Sequence, residues 1–200
     1  MQVEVGKINT NKCNMSRWGG GTTTELSIYP ENSKYSERNF LYRISTATCD
    51  DEKSVFTNLP GIKRELMILR GKVILQHEGR YSKNLNSYDK DTFCGEWKTI
   101  SYGQCTDFNL MMSKECTGSL EHLVINNSKE IVINKNKDSK NIAFGFYIYE
   151  GKLDILYNKQ TFNIEDKDML MFRAKDINEE IKLKIASNKE VDVVFIEISY

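Results

Sequence analysis

Met67-Ile68-Leu69-Arg70-Gly71-Lys72-Val73-Ile74-Leu75 lines up with Tyr147-Ile148-Tyr149-Glu150-Gly151-Lys152-Leu153-Asp154-Ile155, eighty residues further on. The isoleucine, glycine and lysine are identical and the apolar pattern is largely kept. Each copy reads as an apolar strand, a glycine turn and a second apolar strand. Each is followed by an acidic turn, Gly95-Glu96 in one case and Asp166-Lys167-Asp168 in the other, and then by another strand. A self-similar unit at this spacing predicts one supersecondary motif used twice.

The rest of the chain has the same character. Phe40 to Thr48 alternates, with Arg43, Ser45 and Ala47 on one face and Tyr42, Ile44 and Thr46 on the other, which is strand periodicity. Further short strand candidates are Phe93–Trp97, Lys98–Tyr102, Asp107–Met112, His122–Ile125, Ile131–Asn134, Ile142–Tyr149, Lys152–Tyr157, Met169–Phe172, Ile181–Ala186 and Val191–Ser199. Pro30–Asn39, Asp50–Asn58 and Tyr81–Lys90 read as polar connections, and Leu59-Pro60-Gly61 as a turn. No stretch keeps a helical period. Short strands separated by turns predict an all-β barrel or sandwich, with a boundary near Ser113 to Ser119.

One stretch stands apart: Trp18-Gly19-Gly20-Gly21-Thr22-Thr23-Thr24-Glu25-Leu26-Ser27-Ile28. Three glycines permit unusual backbone angles and close approach of another group. The threonines favour an extended strand. The segment predicts a tight turn feeding a strand, with an indole beside it. It is not a phosphate-binding P-loop, because the Gly-Lys-Ser/Thr signature and the following helix are missing.

Bulk properties narrow the function. The 200 residues carry 28 basic and 28 acidic side chains and are 40% hydrophobic with two prolines, so the chain is globular and no face is forced to be basic. Nucleic acid and membrane surfaces are therefore not the expected partners. No apolar run approaches membrane-spanning length, and Met1–Asn14 lacks the apolar core of a secretory signal. Five cysteines, Cys13, Cys49, Cys94, Cys105 and Cys116, are odd in number and widely spaced. That predicts reduced, inert thiols in a cytoplasm.

The strand–glycine–strand repeat resembles the paired barrels of the cupin superfamily. Trp18-Gly19-Gly20-Gly21-Thr22-Thr23-Thr24-Glu25, Arg43-Ile44-Ser45, Phe56, Leu59-Pro60-Gly61, Arg64, Phe93, Gly95-Glu96-Trp97 and Asp107-Phe108-Asn109-Leu110-Met111 follow one another in the first 115 residues. This order is similar to the HutD/Ves family, double cupins with one branch linked to histidine utilisation. Lys63 stands where that family is expected to carry an acidic residue. The resemblance implies an all-β double cupin of two jelly-roll barrel halves with little helix. Residues 1–115 would form a barrel with a ligand pocket and 116–200 a barrel filled by its own side chains.

Overlaying the cupin metal motif places Arg64 at the carboxylate ligand position. Thr57/Leu59 or Asn58/Pro60 take the paired histidine positions, and Thr106 takes that of the third. Metals of this class need imidazole and carboxylate donors, so no metal and no other cofactor is expected. His77 and His122, the only histidines, read as surface or locally bonded groups. An arginine in the ligand position points to an anion-accepting pocket, since guanidinium pairs a carboxylate through two bonds.

Strand parity and the resemblance together nominate Trp18, Gly20, Gly21, Thr23, Glu25, Arg43, Ser45, Arg64, Asp107 and Asn109 as ligand-binding residues. Arg43 and Arg64 would hold a carboxylate, although Glu25 with Arg43 would equally make a structural ion pair. Thr23, Asp107 and Asn109 would read an amide or hydroxyl, and Trp18 would close the mouth. On the last strand the polar face puts Asp107 and Asn109 inward, whereas the cupin overlay puts Thr106, Phe108 and Leu110 there. A bulge near Gly103 would reconcile them. In the second half Phe144, Phe146, Ile148, Ile155, Met169 and Met171 are expected to fill the interior. The expected function is a small-carboxylate binder with a regulatory role in amino-acid catabolism. A metal-independent isomerase or lyase using Glu25 or Asp107 as base is the alternative. Association into a homodimer stays open.

Overall fold

The computed structural model describes residues 1–134 and 141–200. Nineteen strands occur among them: β1 (Gln2–Asn9), β2 (Met15–Trp18), β3 (Gly21–Tyr29), β4 (Tyr42–Cys49), β5 (Lys53–Val55), β6 (Ile62–Gly71), β7 (Val73–His77), β8 (Tyr81–Leu85), β9 (Lys90–Cys94), β10 (Thr99–Tyr102), β11 (Cys105–Ser113), β12 (Thr117–Ile125), β13 (Ser128–Ile133), β14 (Ile142–Ile148), β15 (Lys152–Tyr157), β16 (Gln160–Glu165), β17 (Asp168–Lys175), β18 (Ile181–Ala186) and β19 (Val191–Ser199). They form two compact units, Cys13–Cys116 and Met1–Lys12 with Thr117–Tyr200.

The sequence repeat is the visible part of a longer one. In the Cys13–Cys116 unit the strands run β4-β11-β6-β9 in one sheet and β5-β10-β7-β8 in the other. In the second unit they run β12-β19-β14-β17 and β13-β18-β15-β16, the same order eight strands later. Numbered within a unit this is 1-8-3-6 over 2-7-4-5, a double-sheet jelly roll. The sheets face each other across a core and do not close into a cylinder. Gly71 and Gly151, the glycines of the repeat, both adopt positive φ, 94° and 117°. That explains why the turn after β6 and the turn after β14 are both glycine.

The second unit is filled. On β15 and β18 the pattern is strict, with Lys152, Asp154, Lys182 and Lys184 outward and Leu153, Ile155, Ile181, Leu183 and Ile185 buried. Phe144, Phe146, Ile148 and Ile155 enter the core as expected. Met169 and Met171 are buried as well but lie outside that core cluster. On β17 Leu170, Phe172 and Ala174 belong to the core cluster instead. Phe172 stacks on Phe144 with ring centres 4.8 Å apart. Both faces of β17 are buried, so its sequence lacks the polar alternation that would have set its parity.

Five strands, β1, β2, β5, β8 and β16, lie outside the strand candidates of the sequence. Tyr81–Leu85 and Lys53–Val55 are polar because β8 and β5 lie at sheet edges. Gln160–Glu165 at another edge is similar. The expected organisation is 1–115 and 116–200; in the structure Cys13–Cys116 form one unit, and β1 puts the first twelve residues with 117–200 in the other. There β1 pairs antiparallel with β17 along its whole length, Gln2 opposite Lys175 to Asn9 opposite Asp168.

Asp168 anchors the end of that pairing. Lys7 Nζ lies 2.7 Å from its Oδ2, Asn9 Nδ2 donates to its Oδ1 at 2.6 Å, and the Glu165 N–H donates to Oδ2 at 3.1 Å. Burial pushes the carboxyl pKa up, but the Lys7, Asn9 and Glu165 bonds outweigh it and hold the group below the ordinary carboxylate value. A depressed folded pKa contributes stability above the unfolded value, which is lost as pH falls through the folded one. Asp168→Ala should therefore cost about 1–3 kcal/mol at neutral pH. In urea melts the gap to the unmodified protein should close in acid, below the ordinary carboxylate range.

Candidate functional site

A cavity of about 240 Å³ opens inside the Cys13–Cys116 unit. Its wall is a three-strand ladder. Because side chains alternate along a strand, β4 sends Arg43, Ser45, Ala47 and Cys49 inward, and β11 sends Asp107, Asn109 and Met111 to the same cavity. Register sets them in rows. Met111 lies between Arg43 and Arg64, Asn109 between Ser45 and Leu66, and Asp107 between Ala47 and Ile68; Cys105 lies opposite Cys49. Arginines mark one end of the ladder and cysteines the other.

The conflict over β11 is thereby settled in favour of Asp107 and Asn109; Thr106, Phe108 and Leu110 occupy the opposite face. The irregularity is between Thr106 and Asp107 in the pairing with β6, rather than near Gly103. The extra residue is on β6, at Leu69, so β11 keeps its alternation.

The two arginines differ. Arg43 is committed: its Nε donates to Glu25 Oε2 at 2.6 Å, its Nη1 donates to Ser45 Oγ at 3.1 Å, and its guanidinium lies over the Tyr35 ring at 4.4 Å. Glu25 is therefore the partner of Arg43 and is not part of the cavity lining. Arg64 has no ion-pair partner among the described residues. Its guanidinium carbon lies 4.7 Å from the Phe56 ring centre and 5.3 Å from that of Phe93, and its Nε is buried with no hydrogen-bond partner. Burial lowers its pKa to about 10, with Asp107 opposing and Arg43 reinforcing the shift. Burial likewise raises Asp107 to about 7, against the pull of Arg64. Asp107 Oδ1, Asn109 Oδ1 and Ser54 Oγ are also buried without partners. A native interior leaves few such groups, and three of these four belong to residues that line one cavity.

Trp18 and Thr23 also line the cavity, and the Trp18 indole N–H donates to Thr23 Oγ1 at 3.1 Å. The triple glycine makes the predicted hairpin, with Trp18 paired to Gly21 across Gly19-Gly20. Neither Gly20 nor Gly21 lines the cavity. A Cβ on Gly21 would collide with the Thr48 carbonyl oxygen, and one on Gly20 would meet the Trp18 ring and Ser54 Oγ. Gly21 thus lets β3 approach β4, while Gly20 makes room for the indole.

The lining includes residues that sequence reading did not nominate: Tyr35, Phe56, Met111 and Cys49. Tyr35 belongs to a segment read only as a polar loop. Phe56 was in a signature block and is the ring against which Arg64 rests. The histidine reading needs one amendment. His77 is buried, bonded to Thr99 Oγ1 at 2.8 Å and Asp91 Oδ2 at 3.0 Å. Thr99 is fully buried, so this hydroxyl–imidazole–carboxylate line is a core network without substrate access. His122 bonds Asp192 at 2.6 Å at the surface.

The HutD family profile matches residues 10–193. The chain belongs to the HutD family. Among solved structures it is similar to a conserved protein of unknown function from Pseudomonas aeruginosa PAO1, with 18% identity, 98% of this chain and 100% of that chain covered, and a TM-score of 0.84. HutD from Pseudomonas fluorescens SBW25, solved in a formate condition, matches at 16% identity, 98% coverage of both chains and a TM-score of 0.73. A mutant of Bacillus subtilis oxalate decarboxylase matches at 8% identity, covering 96% of this chain and 76% of that one, with a TM-score of 0.66. At these identities the likeness shows the fold, and the fold is that of the cupins. No curated protein matches the chain in sequence.

The glycines of this HutD-family hairpin make separable predictions. Gly21→Ala drives a Cβ into backbone and should cost about 1–3 kcal/mol in a denaturant melt. Gly20→Ala should fold with a smaller loss and displace the Trp18 ring, read as a shift in tryptophan emission.

Proposed function

We propose that this HutD-family chain binds a small carboxylate metabolite in the cavity of its Cys13–Cys116 unit. Arg64 carries the reading. It is a buried guanidinium without an ion pair among the described residues, and its Nε is unpartnered. Charged donors buried without compensation are costly, and a carboxylate would supply the missing charge and acceptors in bidentate geometry. Asn109, whose Oδ1 is unpartnered and which lines the cavity, would receive a second polar group of the ligand. The aromatic faces of Phe56 and Tyr35 flank the two cations and keep water from them.

Cavity size bounds the ligand. About 240 Å³ is below the roughly 300–1,000 Å³ of sites for drug-sized molecules, so the ligand is an acid of amino-acid size or less. By family, the acid is an intermediate of histidine or related amino-acid breakdown, and binding it serves a regulatory role in the cytoplasm.

Calorimetry and thermal shift against formate, acetate, urocanate, N-formylglutamate and glutamate test this. One of them should bind. Arg64→Ala should weaken it by about 1.5–3 kcal/mol, roughly ten- to a hundredfold in Kd. Arg43→Ala should weaken it less, because Arg43 is already shared with Glu25 and Ser45. Binding unchanged in both variants would sink the arginine anchor. Turnover of the bound acid would make the site an enzyme.

A further inference from the structure

At the far end of the ladder from the arginines, Cys49 and Cys105 face each other across β4 and β11. Both are buried free thiols. One ligand atom from each, together with one Asp107 carboxylate oxygen, lie within 4.8 Å of one another. Two sulfurs on a tetrahedral zinc with ~2.3 Å bonds sit about 3.8 Å apart. The three groups therefore need to contract by at most about 1 Å to share an ion.

Two further observations point to a ligand here. Asp107 is buried, lines the cavity, and its Oδ1 has no hydrogen-bond partner. Cys49 also lines the cavity, which provides an entry path and an open fourth position. We propose that Cys49, Cys105 and Asp107 form a binding site for a thiophilic divalent cation, zinc(II) in the first place, distinct from the arginine end of the same cavity.

The exchange conserves charge. When the ion binds, two S–H bonds break and two S–metal bonds form. Two protons leave to solvent from the thiols, a third leaves from Asp107 wherever its carboxyl is protonated, and no electron moves. With Asp107 already ionised, a dication replaces two protons, so the net charge of the buried region is unchanged. Asp107 and the Arg64 guanidinium that acts on it keep their balance. Thiolate donors select zinc or copper(I) over magnesium and calcium. Three protein ligands with an open position form an incomplete shell of the kind that accepts water or an exogenous acid. This site is separate from the cupin metal motif, whose carboxylate position is Arg64.

The test is cobalt(II) and zinc(II) titration of the reduced full chain. The expected result is a thiolate-to-cobalt charge-transfer band saturating at one equivalent, bleached by zinc. One zinc should also shield two thiols from a thiol-specific reagent, a readout that needs no variant. Cys105→Ser should abolish the band and lower zinc affinity by more than ~100-fold, since even outer-shell partners are worth 10–100-fold. Cys116→Ser, outside the cluster, should keep both. No band and no shielding in the folded chain overturns the proposal, as does a band that survives Cys105→Ser. Carboxylate binding should persist in Cys105→Ser, where Arg64 is intact, so failure of the metal site and failure of the anion site are read separately.

Discussion

The alternation of side chains along three paired strands is the constraint on which the site depends. β4, β11 and β6 are antiparallel; β4 and β11 keep one register throughout, and β6 keeps its register with β11 from Ser113 to Asp107. A residue's position along the chain therefore fixes both which face it takes and which row it joins. Every second residue of Arg43–Cys49 and of Asp107–Met111 is aimed into one cavity, and the other half of each strand packs away from it. A slip of one residue would reverse this and expose Phe108 and Leu110 to the lumen in place of Asp107 and Asn109. The bulge that could have caused such a slip falls on β6, leaving β11 regular.

Within that ladder the chemistry is graded. The arginine end pairs one satisfied cation with one unsatisfied one. Arg43 has a carboxylate, a hydroxyl and an aromatic face; Arg64 has aromatic faces alone. Each guanidinium costs free energy to bury, and among the described residues no ion pair offsets that cost for Arg64. The opposing shifts of Arg64 and Asp107 express the same condition, since each is a charge held where water does not reach. The sister unit shows the contrast. Its equivalent strands carry Phe144, Phe146 and Phe195, which pack in the apolar core of that unit.

Much of this was legible in the residues. The glycine repeat at Gly71 and Gly151 was visible because a positive φ excludes most other residues. Arg43, Ser45, Asp107 and Asn109 were legible because polar and apolar residues alternate on β4 and β11. Where alternation fails, reading failed. On β17 both faces are apolar, and Met169 and Met171 were placed inward when Leu170 and Phe172 are. Edge strands such as β5, β8 and β16 are polar on exposed faces and resemble loops. The cysteines were read one at a time as inert thiols, and no local spacing links residues 49 and 105.

The sequence by itself determined the all-β class, the doubled motif, the glycine hairpin and the polar faces of the site strands, because each is a local property of backbone angles or side-chain period. Tertiary structure alone decided that β1 joins the far unit through Asp168, that Glu25 is taken by Arg43 while Arg64 is left unpaired, and that Cys49 and Cys105 meet beside Asp107. Those are pairings between residues distant in the chain, set by strand order and register. The triple glycine divides along the same line. Its turn was written in the residues, but which glycine serves the backbone and which makes room for Trp18 depended on what the fold placed against each.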